Sequence, residues 1–580
     1  MLKELYDYSL SRGLAVTPGF SKRTINAYIS LDKDGNLLGI VPTPKDKKVV
    51  APDLGSDANG TKKCHIIVSK AEYVLGIGEG NTLVKHEFYK ETLKAASEFE
   101  PTFKVVCDAL EDDVRLDEMR KALVDNKVKS SAVIGFMVDG KPIESCTGYH
   151  EWWQEYRKQM SDNKKDSKVC MITGVSSVPV KIVPKVKGLN LVGGHSSGDS
   201  LICFDKDAFC SYGFDQADNA SVSEDAISAV NAALNELIEK APIHAKTRLV
   251  HWFKEEIPED PFSMLDLDLS LSDDSDSGDD SGDDSGNAPV KKSEIRELYR
   301  SIRNGERPNK PDNIYYILPL SGNNGRVMVR GFESGRCEEL WQNIGIWYDD
   351  LELVRVGGGL VGSPKLFRIY TRLVKYTSKK AEIGKKISEE LSGLDNVIMR
   401  AIVNNKPLPD MVATRALAYI RSDIYADSER NQMKHPDNVC CQILKLWLIR
   451  RGRNMGICVN ENYDSAAYHM GRLFAVYAKI QESSSPGVNA GVVERYYAAI
   501  STRPAYVLGK LAQLSNYHLD KLEKGKAIYY SKMLNDVSVR ITPPIPASFS
   551  VTEQAEFALG YYHQCASFPP TKDKTNNDNE

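Results

Sequence analysis

The sequence predicts an α+β protein: mixed N-terminal and middle regions, followed by a C-terminal four-helix-type bundle. In the first half, β-rich and helical patterns alternate irregularly, which argues against a doubly wound parallel sheet. A low-complexity acidic tract then interrupts the chain. Over the last hundred-odd residues, apolar positions recur at three- and four-residue spacing. These shifts divide the 580 residues into an N-terminal α+β domain (1–262), an acidic linker (263–290), a basic middle region (291–454) and a helical bundle (455–580).

In the N-terminal region, Ile25–Leu31 and Ile66–Leu75 have the β-rich, turn-bounded look of strands, with Lys33–Asn36 (KDGN) as a hairpin-like turn after the first. Helical spacing follows at Val84–Phe99, Leu116–Val124 and Ala226–Lys240. Two glycine-rich loops stand out, Gly76–Asn81 (GIGEGN) and Gly193–Ser200 (GGHSSGDS). Glycine lets a backbone approach a ligand closely, while serine, asparagine and histidine offer hydrogen bonds to phosphates or base edges. Gly78, Asn81 and Lys85 in and after the first loop are therefore candidate nucleic-acid contacts, as are Gly194, His195, Ser196 and Ser197 in the second.

Gly194, Ser196 and Gly198 also match the G-x-S-x-G nucleophile elbow, so a stand-alone hydrolase is the alternative reading. That elbow needs a strand before Ser196 and a helix after it. Leu189–Val192 has strand character, but the downstream Leu201–Phe204 is β-like and runs into a turn. The sequence holds no phosphate-binding GxxxxGK[ST] loop, no HExxH and no CxxC pair. The expectation is a protein without catalytic residues, bound metal or cofactor. Its eleven cysteines, irregularly spaced, read as reduced thiols of a cytoplasmic protein. No apolar run approaches the ~20 residues that span a bilayer, and the N-terminus has no signal-peptide pattern.

Charge is informative once divided along the chain. Residues 255–290 carry thirteen acidic side chains and no Lys or Arg, whereas 291–454 carries 29 basic against 19 acidic residues. The acidic tract cannot bury enough apolar surface to offset chain entropy and reads as a linker, with mimicry of DNA as the alternative role. A basic middle region is the electrostatic footprint of nucleic-acid contact, and equally a solvated face with scattered lysines. Within it, Ile314–Leu318, the turn Ser321–Gly325 and Arg326–Phe332 read as a hairpin. Asn323 and Asn324 lie at its tip, and Arg326 and Arg330 alternate onto one face. Asn and Arg form the bidentate contacts that read base edges. Lys365 and Arg368, after the glycine-rich turn Gly357–Gly362, and Arg450 and Arg451, closing the helical stretch Gln442–Arg453, suit phosphates.

In the last region, Asp464 stands at an N-cap position before a stripe of Ala466, Met470, Leu473, Phe474, Tyr477 and Ile480. Val492–Ile500 repeats the helical pattern. Pro504 opens a third helix, and Ser550 and Glu553 have capping-box spacing at the start of a fourth.

The strings YHMGRLFAVYAKIQ, VVERYYAAISTRPAYVLGKLAQLSNYHLDKL and FALGYYHQ resemble the C-terminal region of the large subunit of type I-C CRISPR surveillance (Cascade) complexes. YYILPLSGNNGRVMVRGF, CMITGVSSVPVKIVPKVKGLNLVGGHSSGDSLICFDKDAFCSYG and the opening LYDYSLSRGLAVTPGF are similar to its middle and N-terminal parts, in family order. The resemblance implies a subunit of an RNA-guided antiviral complex that recognises the protospacer-adjacent motif in double-stranded target DNA. Such a subunit promotes strand separation and R-loop formation. The implied partners are the guide RNA through the complex, the backbone subunits and the helicase-nuclease. It also implies a separate small subunit made from the same gene at an internal start. Met455 suits that start better than Met470, because it keeps the first helix and its cap.

Overall fold

A computed structural model describes residues 1–569 of the chain apart from 15–18, 55–57, 59, 161–166, 181, 205, 215, 258–259, 266–311, 378–381, 427–432 and 487–490. Nearly all of the expected acidic linker lies outside the described residues. The fold is mixed α+β, with a helical C-terminal region. By contacts it forms two units, Met1–Lys240 with Gly322–Met328, and Ala241–Ser321 with Val329–Glu580.

The first unit is built on a mixed sheet in the order Leu37–Pro42, Ala27–Leu31, Val133–Val138, Ser69–Lys70. Asp32 shapes the KDGN turn by accepting from the amides of Asp34 (2.9 Å) and Asn36 (2.8 Å), and Leu37–Pro42 returns antiparallel. Val133–Val138 runs parallel to Ala27–Leu31. Ile66–Leu75 does not form one strand. Ile67 sits at φ +66°, and a short Ser69–Lys70 strand turns at once into the helix Ala71–Val74. The β-rich composition of this stretch does not show where strand gives way to helix. The predicted helices appear as Asn81–Ser97, Asp113–Asp125 and Glu224–Lys240, the second capped by Asp112.

In the second unit, the strand Ile314–Asn323 pairs antiparallel with Thr247–Phe253 and Glu333–Arg336. The helix Cys337–Leu351, absent from the sequence reading, begins the helical part. One hydrophobic core extends from Leu249 through Phe568 and crosses the expected boundary at 454/455 without a break. Met455 is itself buried in it.

Among the described residues the C-terminal region contains five helices: Ala466–Ser484, Val492–Ile500, Pro504–Leu519, Lys524–Ser538 and Val551–Ser567. The fourth was not expected, because its largely exposed surface leaves a weak apolar stripe. Pro504 occupies the first turn of its helix, and Ser550 and Glu553 form the capping box. The first helix is capped by Ser465, whose hydroxyl accepts from Tyr468 N, and not by Asp464. Ser465 Oγ also donates to the buried Glu556 carboxylate at 2.6 Å, a bond that Asp464 could not make.

Ala466–Ser484 and Val551–Ser567 cross at two glycines. A Cβ on Gly471 would meet Tyr561 N at 2.8 Å and overlap the Phe557 carbonyl, and one on Gly560 would overlap the Tyr468 carbonyl. Backbone cannot yield as a side chain can. Gly560→Ala should therefore destabilise the protein by about 1–3 kcal/mol or more. Gly509→Ala, in open space on Pro504–Leu519, should be neutral or stabilising by up to about 1 kcal/mol. Urea unfolding of the two variants checks the contrast.

Candidate nucleic-acid interface

The structure joins two segments that the sequence presents far apart. Gly193–Ser200 follows a single 3-10 turn, Asn190–Val192, and is closed at its base by paired bonds between Val186 and Asp199, each 2.8 Å. The Asp199 carboxylate is fully buried and accepts from His195 N at 3.1 Å. The hairpin strand runs on to Asn323, so the apex is Asn324–Gly325, with φ of +49° and +83°. Positive φ at both central residues is the requirement of a two-residue type I′ hairpin, which Asn-Gly meets.

Loop and apex then pair. Ser200 N donates to Gly325 O (2.8 Å), and Val327 N donates to Ser200 O (3.0 Å). Beneath them, the backbones of Gly193 and Gly194 lie directly on Gly322. A Cβ on Gly193 would sit 2.7 Å from Gly322 O, and one on Gly322 would overlap Gly194 Cα. His195, Ser196, Ser197, Asn323, Asn324 and Arg326 are all exposed on the resulting surface. The Arg326 guanidinium lies 5.2 Å from the Phe209 ring centroid. Phe209 was missed in the sequence, although the aromatic-rich string KDAFCSYGF, opening on Lys206, was a signal for it.

The hydrolase context does not form. Leu189–Val192 is not a strand, and the described residues 197–204 directly after Ser196 form no helix. Among the described residues, the imidazole next to Ser196 engages Ser197 instead, with His195 Nδ1 2.8 Å from Ser197 Oγ and accepting from Ser197 N at 3.2 Å. An amide only donates, so the neutral ring carries its proton on Nε2.

The other candidates lie elsewhere. Gly78 and Asn81 are exposed where Gly76–Asn81 enters the helix Asn81–Ser97, and Arg120 supports that loop by donating to Leu75 O at 2.9 Å. Lys85 is a correction. It is buried, donates to Ala58 O at 3.2 Å and stacks over Tyr73, so its charge is used within the fold. In the second unit, Arg330 donates to Ser321 Oγ at 2.9 Å. Lys365 is exposed at the N-terminus of Leu366–Leu373, beside three exposed glycines at positive φ (Gly357–Gly359), and Arg368 is half-buried within that helix.

Arg450 is a second correction. Its guanidinium is buried against Asp350 (3.4 Å) and donates to Lys406 O at 3.0 Å. Burial pushes its pKa down, with Asp350 opposing. Arg451 pairs with Asp410 and stacks 4.4 Å over Trp447. The run of basic residues after Leu448 is thus largely spent on closing the helix Asn438–Ile449 against its neighbours.

The residues describe a protein whose conspicuous surface is a glycine-seated loop and hairpin of hydrogen-bonding side chains. The family model for CRISPR-associated protein Cas_Csd1 matches residues 2–568. The chain belongs to this Csd1 family of CRISPR-associated proteins. A search of curated proteins returns no match.

The joint between loop and hairpin can be tested without any ligand. Gly322→Ala should force the two backbones apart, at a cost of about 1–3 kcal/mol. Hydrogen exchange should speed up at the Ser200 and Val327 amides, while the Ile134 and Phe136 amides of the sheet keep their protection.

Proposed function

We propose that this Csd1-family chain is the non-catalytic large subunit of a type I-C RNA-guided complex acting in the cytoplasm, and that the loop–hairpin surface reads the protospacer-adjacent motif in duplex DNA. The observation that carries this is the backbone joint, which brings Asn323, Asn324 and Arg326 to one exposed face with His195–Ser197. Asparagine supplies paired donor and acceptor to a base edge, and arginine supplies charge to the phosphates. Since base pairing with the guide reads the remaining sequence, a few such contacts suffice, and strand separation follows motif binding. The backbone subunits, guide RNA and helicase-nuclease are the proposed partners. No helix among the described residues is long and apolar enough to cross a membrane.

In the assembled complex, replacing Asn323 or Asn324 with Ala should cost about 1–3 kcal/mol per lost base contact and relax motif preference. Arg326→Ala should weaken all sequences alike and reduce the salt slope by about one. Electrophoretic titration against matched and altered motifs at two salt concentrations separates these outcomes. Unchanged binding in all three variants overturns the reading. DNA or ester hydrolysis that is lost in Ser196→Ala would support the hydrolase alternative.

We also propose a second product of 126 residues starting at Met455, which keeps the Ser465 cap. In the full chain, Val551–Ser567 packs on Asp410–Tyr425 and Asn438–Ile449, with Tyr562 donating to Asn438 at 2.8 Å. The free product lacks both covers, so protein neighbours would dominate its contacts in the complex. Mass spectrometry of the purified complex should show this species. It should disappear from a Met455→Leu variant, together with part of the complex's DNA affinity.

A further inference from the structure

The segment after the loop ends in a turn whose side chain has no packing role. Residues 211–214 (Ser-Tyr-Gly-Phe) close with Phe214 N donating to Ser211 O at 3.0 Å. The two central residues, Tyr212 and Gly213, have φ of +54° and +73°. Glycine takes that conformation freely, whereas a bulky aromatic residue is strained there. The turn is nevertheless held firmly. Asn219 accepts from Ser211 N (2.9 Å) and donates to the carbonyls of Phe214 and Gln216, each at 3.0 Å. This clamp presents Tyr212 at 95% exposure, the highest value among the large hydrophobic side chains described. A strained residue that buries nothing is not there to stabilise the fold.

Its neighbours define what it suits. Phe209 and Phe214 flank it at 43% and 39% exposure. Each ring has a cation over one face: Arg326, from the hairpin, at 5.2 Å from Phe209, and Lys168 at 3.5 Å from Phe214. Residues 168–214 contain five Lys and no Arg, against three Asp, of which Asp199 is buried beneath the loop. Exposed aromatic rings carrying cations are the elements of a surface that stacks unpaired bases while the charges meet their phosphates. A peptide-binding patch would not need a ring set at the apex of a strained turn with both faces in solvent.

We propose that Tyr212, supported by Phe209 and Phe214 with their cations, is a stacking site for an unpaired nucleobase beside the loop–hairpin surface. This rests on the nucleic-acid reading of that surface and adds a function to it, which is to hold an unpaired base of the opened target or of the guide. Tyr212 is a binding residue, and no chemistry is assigned to it.

Tyr212→Gly tests the site cleanly, because glycine suits φ +54° and removes only the ring. The thermal midpoint of the full-length protein should stay level or rise. Affinity for a fluorescein-labelled single-stranded oligothymidylate should fall about 5- to 100-fold, the range expected for loss of one stacked base. Tyr212→Trp should keep or improve binding. An oligouridylate arm distinguishes the source of the base: a larger loss with the DNA oligomer assigns it to the target strand, and a larger loss with the RNA oligomer assigns it to the guide. Equal binding of Tyr212→Gly and the parent to both oligomers overturns the stacking site. If Asn323→Ala still impairs duplex recognition in that case, the reading of the surface stands and only this inference falls. Loss of association with a protein subunit, with nucleic-acid affinity unchanged, would also overturn it and make the patch a protein contact.

Discussion

The contact between the backbones of Gly194 and Gly322 is the constraint on which the candidate interface depends. Neither position tolerates a Cβ: on Gly322 it would overlap Gly194 Cα, and on Gly194 it would strike Asp199 and Leu189 of its own loop. With the chains this close, Ser200 can exchange hydrogen bonds with Gly325 and Val327, and loop and hairpin become one body. The exposed side chains gain fixed relative positions without any of them being buried. A recognition surface needs this combination, because ordering flexible loops on binding would consume part of the interaction energy.

The same device recurs in the second unit at a larger scale. Gly471 and Gly560 bring two long helices together closely enough for polar side chains to bond across the seam. Tyr468 bonds His563 at 2.9 Å, Arg472 donates to Gln564 at 3.0 Å, and Ser465 and Tyr463 both donate to Glu556. Burial drives the His563 pKa down to about 3, so the ring is neutral where it meets the tyrosine hydroxyl. The seam specifies register, since a shift of one residue would leave a carboxylate and a guanidinium unpartnered in the core. It lies at the centre of a core that the middle region shares, which is why the C-terminal helices do not form a module of their own in the full chain.

Charge in this chain is a poor guide to surface. Basic residues in the middle region suggested a nucleic-acid footprint, yet Lys445 donates from the core to Asp350 O, Arg372 pairs with Asp437, and Arg450 is enclosed. Lys85 shows the same in the first unit. Long cationic side chains carry enough methylene groups to be packed inward when a carbonyl or carboxylate awaits them.

Local signals were legible in the sequence wherever the physics is local. Pro504 at a first turn, the Ser550–Glu553 capping box and the KDGN turn each depend on a few neighbouring residues, and each appears in the structure. Helical stripes were legible too, because a 3.6-residue period records one buried face. The choice between Asp464 and Ser465 as cap was not, since it turns on Glu556, nearly a hundred residues away. Nor was the fate of Ile66–Leu75, where Ser69 and Ala71 are buried along with the apolar residues on either side and no two-residue alternation marks the strand's end. Gly193–Ser200 and Asn323–Arg326 could be named separately as candidates from residue chemistry. That they share one face was decided by backbone packing between distant glycines, and a side chain that is absent leaves no pattern in the sequence to announce what it touches.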